Sequence, residues 1–220
     1  MRKTVAPWCL WPCLALVFFT SCLGASMDIS IRPNGSGRIV LEYRVSQMLE
    51  SLGRLDGNER WPAIPVGRAD MERSVARVPG LRLSSFSARD VPNGSGGSDL
   101  VTRAVLDFAH TDALLAFLDK TGSRAAFVRA ADGNANLLRL VLLEPSPEID
   151  NPQLLSLIRE VSAGYEIRIN LNVPANASLA TVPARVPHAR TELNGRNVSF
   201  AVGTGYLPAI TDGLALEVSW

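Results

Sequence analysis

Lysine is nearly missing from this 220-residue sequence: Lys3 and Lys120 are the only two among 22 basic residues, and the rest are arginine. Those 22 face 21 acids, a formal charge of +1, so no excess of one sign points to a polyanion such as nucleic acid as the partner. Cysteine is scarce at three residues, and histidine is limited to His110 and His188. Without CxxC, HxxH or HExxH spacing, Cys22, His110 and His188 are too few for a structural zinc site, which needs four ligands. No apolar run approaches the roughly 20 residues that cross a bilayer. The longest spans residues 8–19. What is present, 47% apolar and 20% charged residues, is the make-up of a packed globular chain. It excludes a disordered chain, a collagen repeat and a coiled coil.

The amino terminus has its own logic. Arg2 and Lys3 precede the apolar stretch Trp8 to Phe19, the build of a secretory signal peptide. The stretch ends in Phe19-Thr20-Ser21-Cys22, followed by Leu23-Gly24-Ala25-Ser26. An apolar residue, a small one and then Cys resembles the bacterial lipobox, in the relaxed form seen among spirochaete lipoproteins. That resemblance implies removal of residues 1–21 and acylation of Cys22. Phe19 stands where Leu is usual. Cys9 and Cys13 leave with the signal, so the mature chain keeps Cys22 alone and has no disulfide framework. Losing Arg2 and Lys3 leaves 20 basic against 21 acidic residues, so acyl chains rather than charge must hold the protein to a membrane. The competing expectation is cleavage after Gly24 or Ala25, giving a secreted protein without cysteine.

Turn and periodicity signals organise the rest. Asn34-Gly35, Asn93-Gly94 and Asn194-Gly195, with Asp56-Gly57, Asp132-Gly133 and Asp212-Gly213, suit two-residue primed turns. Period-two runs flank several of them. Ile29 and Ile31 enter the first turn and Ile39, Leu41, Tyr43 and Val45 leave it. Tyr165, Ile167, Ile169, Leu171 and Val173 alternate with polar residues, and Val198 to Val202 and Leu214 to Trp220 do likewise. Helical spacing predicts three helices. The first covers Asp70 to Val78; the second is capped by Thr111, with Leu114, Leu115, Phe117 and Leu118 inward and an end at Gly122. The third has Asn151 and Pro152 at its start and carries Leu154, Leu155, Leu157, Ile158 and Val161. A short helix over 46–52 would make a fourth. The expectation is an α+β fold: a mostly antiparallel sheet with three to four helices packed on one face. Residues 22–27 would form a lipidated tether. Residues 28–220 would form one extracytoplasmic domain, with a body over 28–163 and a β-rich tail over 164–220 in which the first hairpin pairs.

Asp28 to Gly37 just after the anchor, a helix–strand–strand–helix middle and a closing β-segment from Pro174 to Trp220 resemble the extracytoplasmic lipoproteins of the LppM type. The resemblance implies an α+β envelope protein and carries over no catalytic residue. Many members carry a C-terminal transmembrane helix that has no counterpart before Trp220.

No catalytic constellation stands out. Asn93-Gly94-Ser95-Gly96-Gly97-Ser98-Asp99 lacks the GxGxxG spacing and following helix of a phosphate cradle and reads as a hairpin loop. No serine lies in a GxSxG elbow. Asp107, Asp112 and Asp119, then Glu144, Glu148 and Asp150, flank helices, where acids favour the helix start. Arg68, Arg73 and Arg77, and Arg185, Arg190 and Arg196, are candidate headgroup ligands. Asn34, Asn93, Asn176 and Asn197 sit in Asn-x-Ser sequons, read with a lipobox as turn residues. Leu214, Leu216, Val218 and Trp220 resemble a closing strand of an outer-membrane barrel, but the helices break such a series. The expectation is thus a lipid-anchored, non-catalytic binding protein without cofactor, its partner an amphiphile or another envelope protein. The alternatives are an outer-membrane-associated β-rich protein and a secreted enzyme. A cleft lined by Leu114, Phe117 and Leu118 would favour an amphiphile, and an exposed strand edge near Trp220 would favour a docked protein.

Overall fold

The computed structural model describes residues 23–46, 67–93, 96–119, 124–129 and 136–220. The expected signal peptide, Cys22, the fourth helix after Ser46, Ser95, Gly122 and the turns at Asp56-Gly57 and Asp132-Gly133 lie outside these residues. Strand β1 (Leu23–Ile31) begins at Leu23, so residues 23–27 are paired strand and not a tether.

β1 turns back into β2 (Gly37–Ser46) through five residues. Pro33 and Asn34 are the central residues of a turn closed by the Gly35 amide donating to the Arg32 carbonyl at 2.9 Å, and Gly35 follows at φ 79°. Asn34 is not at positive φ, so this is a type I turn with a left-handed glycine rather than the expected primed pair. Proline suits the first central position because its ring presets φ. At the other end of the molecule Gly195 and Arg196 are the central pair, and only Gly195 has positive φ, the sign pattern of type II′.

Helix α1 (Arg68–Ala76) follows and buries Met71 and Val75. β3 (Leu81–Pro92) and β4 (Ser98–Phe108) form a long hairpin. Helix α2 (Thr111–Leu118) is capped by His110, not by the expected Thr111: the His110 imidazole Nδ1 accepts from the Ala113 amide at 3.2 Å. The reason is the backbone, which is extended at His110 and leaves Thr111 as the first helical residue. β5 (Ala125–Arg129) and β6 (Asn136–Leu143) pair, and helix α3 (Pro152–Val161) starts as expected, with the Asn151 side chain accepting from the Leu154 amide. Then come β7 (Glu166–Asn172), β8 (Ser178–Val182), β9 (Ala189–Asn194), β10 (Asn197–Gly203), a 3₁₀ turn η1 (Thr204–Ala209) and β11 (Leu214–Ser219).

The fold is α+β, with two sheets where one was expected. The larger has the order β3-β4-β2-β1-β7-β10-β9 and the smaller β5-β6-β11-β8. All pairs are antiparallel except β1 with β7, which run parallel from Ala25 opposite Ile167 to Ser30 opposite Asn172. The first hairpin therefore does pair with the tail. The tail does not stand beside the body, since β7 and β10 extend the large sheet and β8 and β11 belong to the small one. The three helical segments that lie among the described residues are helices, and among those residues both sheets are open at their ends, which is not the arrangement of a closed barrel.

One core joins the sheets. Ile29, Ile39, Leu106, Leu171 and Phe200 from the large sheet share it with Leu138, Leu214 and Leu216 from the small one. Met71 of α1 and Leu114 of α2 complete it. Helix α3 departs from the expectation that all helices cover a sheet face. It packs against η1 and fully buries Ile158 alone among its apolar residues.

Candidate functional site

The charged residues singled out in the sequence pair with their neighbours and do not converge. Arg68 bonds Glu72 at 3.3 Å and lies over Phe86, Arg73 bonds Asp70, Arg190 bonds Glu166 at 2.6 Å, and Arg196 donates to the Val173 carbonyl at 2.8 Å. Arg77 and Arg185 are exposed and on separate elements. His110 is the cap of α2, while His188, at φ 60°, stacks on Tyr206 with 4.0 Å between ring centroids. Among the described residues no group of three or more His, Cys, Asp or Glu side chains is placed to hold a metal ion.

Three carboxylates hold the structure together. Asp119 accepts from the Arg124 and Ala125 amides and fixes the end of α2 to the start of β5. Asp107 accepts from Arg38 at 2.8 Å, from Ser84 and from Arg82. The Arg38 hydrogen bond, with that of Ser84 and the Arg38 charge, lowers its carboxyl to about 2. Asp99 is buried at 1% exposure and accepts from Arg44 Nε at 2.7 Å, Asn93 Nδ2 at 2.8 Å and the Tyr165 hydroxyl at 2.9 Å. Burial alone would raise its carboxyl. The bonds from Asn93, Arg44 and Tyr165 outweigh burial and hold it below the usual range. This cluster joins β2, the β3–β4 loop, β4 and the entry to β7. Sequence reading passed over it because Arg44 lies 55 residues before Asp99 and Tyr165 lies 66 after it.

The outward face of the large sheet is polar and internally bonded. Asn170 donates to Asp28 at 2.6 Å and accepts from Ser199 at 2.8 Å, and Asn172 donates to Asn197. The inward face differs at the end where β1 begins. There Met27, Leu41, Tyr43, Ile167 and Ile169 from β1, β2 and β7 form the floor of an open cleft of about 310 Å³, walled by Phe117 and Leu118 of α2 and by Leu142 of β6. Strand alternation sets the floor: Ala25, Met27, Leu41, Tyr43, Ile167 and Ile169 share one face, in register. Helical spacing sets the wall. Leu114 points into the core at 1% exposure, while Phe117 and Leu118 turn to the cleft. Tyr43 brings a phenol to a mostly apolar lining that also includes Ser26 and Arg168, and burial pushes its pKa up, so it stays a neutral hydrogen-bonding group.

Of the three residues expected to line an apolar cleft, the structure assembles Phe117 and Leu118 and puts Leu114 behind them. Tyr43 and Ile167 were read as strand residues without a part in it, and Met27 as part of the tether. The volume lies at the small end of ligand sites, about 300–1,000 Å³, which suits part of an acyl chain better than a headgroup. Near Trp220 the sheet edges are β5, whose Phe127 faces the Trp220 ring, and β8, whose Ser178 lies opposite Ser219. β11 is an inner strand, the Trp220 backbone exchanges hydrogen bonds with Asn136, and its ring lies 5.7 Å from that of Phe127.

No protein-family model matches this chain, and no curated protein matches it. Among solved structures it is similar to the NMR structure of the folded domain of LppM from Mycobacterium tuberculosis, at 11% identity and a TM-score of 0.39, over 89% of this chain and 88% of that one.

Proposed function

We propose that this chain is an envelope lipoprotein, anchored by acyl chains on Cys22, whose extracytoplasmic domain binds the apolar part of an amphiphile and catalyses no reaction. The observation that carries the binding half is the cleft over β1, β2 and β7, where eight of the lining side chains or strand positions are apolar and Tyr43 is the polar handle. The anchoring half rests on the lipobox-like Phe19-Thr20-Ser21-Cys22. The non-catalytic part is supported by the three strongest carboxylate clusters being occupied in joining elements. The alternative, a protein docked beside Trp220, would use the edge strand β8 and not β11, which is flanked on both sides.

The test has two arms. Full-length protein is made in a bacterial host that processes lipoproteins, and its intact mass and detergent partitioning are compared with those of Cys22→Ala. Acyl mass lost in the variant supports the anchor; an unmodified chain beginning near Ala25 or Ser26 refutes it. Separately, a dansyl-labelled fatty acid is titrated against wild type and Ala25→Phe, which adds a ring to the cleft floor. At least a tenfold weaker affinity in the variant is expected. Equal affinity in a folded variant refutes the cleft as the binding site.

A further inference from the structure

The end of the large sheet where β1 begins holds a second apolar feature. Leu23, the residue joined to Cys22, is already paired with Val45, so no spacer separates Cys22 from the sheet. A residue of extended chain spans only about 3.3–3.6 Å, so an anchor on Cys22 brings whatever surrounds β1's first residues to the headgroups. On one side lie Glu42 and Arg44 of β2, and on the other the turn that follows α3. The Tyr165 ring and the Glu166 carbonyl lie over Gly24, each 3.6 Å from where a Cβ would stand. The Tyr165 amide donates to the Ser162 carbonyl one residue past α3, and the Tyr165 carbonyl accepts from Thr204 of η1. Helix and 3₁₀ turn are locked together, since a Cβ on Gly205 would stand 2.9 Å from the Arg159 Cα.

On this support α3 turns Ile158 inward and leaves Leu157 45% exposed, with Leu154 half-buried three residues before it. Residues three apart share a helix face. A large aliphatic side chain half in water gains by moving into the headgroup layer, as the apolar faces of interfacial helices do. We infer that α3 rests on the bilayer surface, Leu157 set among the headgroups, so that the protein is held at one fixed tilt with the Ala25 end of the cleft beside the membrane. The occupant of this helix face is the lipid surface itself, and the inference rests on the reading of Cys22 as the anchor. Arg159 and Glu160 cancel on the helix, so the contact is apolar and insensitive to salt.

The acylated full chain suits the test, because its processed form has no free thiol: Cys9 and Cys13 lie in the removed segment and Cys22 carries the lipid. Leu157→Cys then takes a polarity-sensitive nitrobenzoxadiazole label alone. Leu193→Cys is the reference, 52% exposed on β9 and level with Ile29, farther along the sheet from the anchored end. Both are reconstituted into vesicles of phosphatidylethanolamine with a minority of phosphatidylglycerol. The expected result is a blue shift at position 157, quenched by lipids brominated near the headgroup and unchanged by high salt, with no shift at position 193. An acylated chain whose label at 157 stays in water overturns the docking while leaving the anchor intact. Equal shifts at both positions overturn it too, since the surface contact is then unspecific. Intact mass on the same samples isolates the remaining case: a chain without acyl groups refutes the anchor, and the docking with it.

Discussion

Gly37 starts β2 opposite Ile31, where a Cβ would stand 2.0 Å from the Ser30 carbonyl oxygen and 2.3 Å from Phe108 Cζ. The ring can shift but the carbonyl belongs to the neighbouring strand, so Gly37→Ala is expected to cost about 3 kcal/mol, the upper range for overpacking, read as a lower urea midpoint. The Asp99 cluster predicts a different signature. Tyr165→Phe removes one bond to a buried carboxylate and is expected to cost about 1.5–3 kcal/mol in the same assay. Asp99 and Asp107 are both held below their ordinary range in the folded chain, so folding favours their charged forms. Their contribution is complete above the unfolded carboxylate value near 4 and is lost as pH falls through the folded values, about 2 for Asp107. The urea midpoint of wild type should drop across that window, and Asp107→Asn should flatten the drop; an equal slope in the variant would contradict the assignment. None of these contacts is visible along the sequence. Asp99 reads as the last residue of a glycine-rich loop and Tyr165 as the first of a strand, and only the fold brings them together.

At the scale of elements, periodicity was the reliable guide. The strict alternation from Tyr165 to Val173 is β7, and Asn151-Pro152 before the leucine run is the start of α3. In the tail, β8 and β9 had no individual expectation: they are five and six residues long, lie at sheet edges and have little apolar alternation, so burial left no pattern to read. Among the described residues the chain turns at Asn34-Gly35 and at Asn194-Gly195, but the first is a type I turn closed by its glycine and the second takes Gly195 and Arg196 as its central pair. Half of the cleft was legible. Helical spacing put Phe117 and Leu118 on one side, whereas the floor depends on which strand lies beside β1, a choice made by the parallel pairing with β7. Helix α2 links cap to cleft. His110→Ala should cost about 1 kcal/mol through the lost cap and weaken fatty-acid binding with it, because Phe117 and Leu118 stand on that helix. His110→Asp, which keeps an acceptor at the same place, should restore both. If it restores neither, the imidazole matters for something other than the cap.

The whole molecule is divided differently from its sequence. Body and tail read as successive blocks, yet β7 and β10 sit in the large sheet and β11 lies between β6 and β8 in the small one. A chain ending before Gly164 loses inner strands from both sheets and the core residues Ile169, Leu171, Phe200 and Leu216. It is expected to lack a cooperative urea transition altogether; a sharp transition would mean that the first segment folds by itself.

The parallel seam also sets a timetable. Asp28 meets Asn170 across 142 residues, and a chain made from its amino terminus holds β1 long before β7 exists. In that interval β1 can zip onto β2, but its other edge, Met27 to Ser30, has no partner. Such an edge recruits strands from neighbouring molecules. Closure of that seam, by a contact of high sequence separation, is therefore the slow and exposed step in this protein's assembly. Leu23 is no part of that seam: it pairs with Val45 of β2 and enters the sheet early, whereas Ala25 to Ser30 wait for β7.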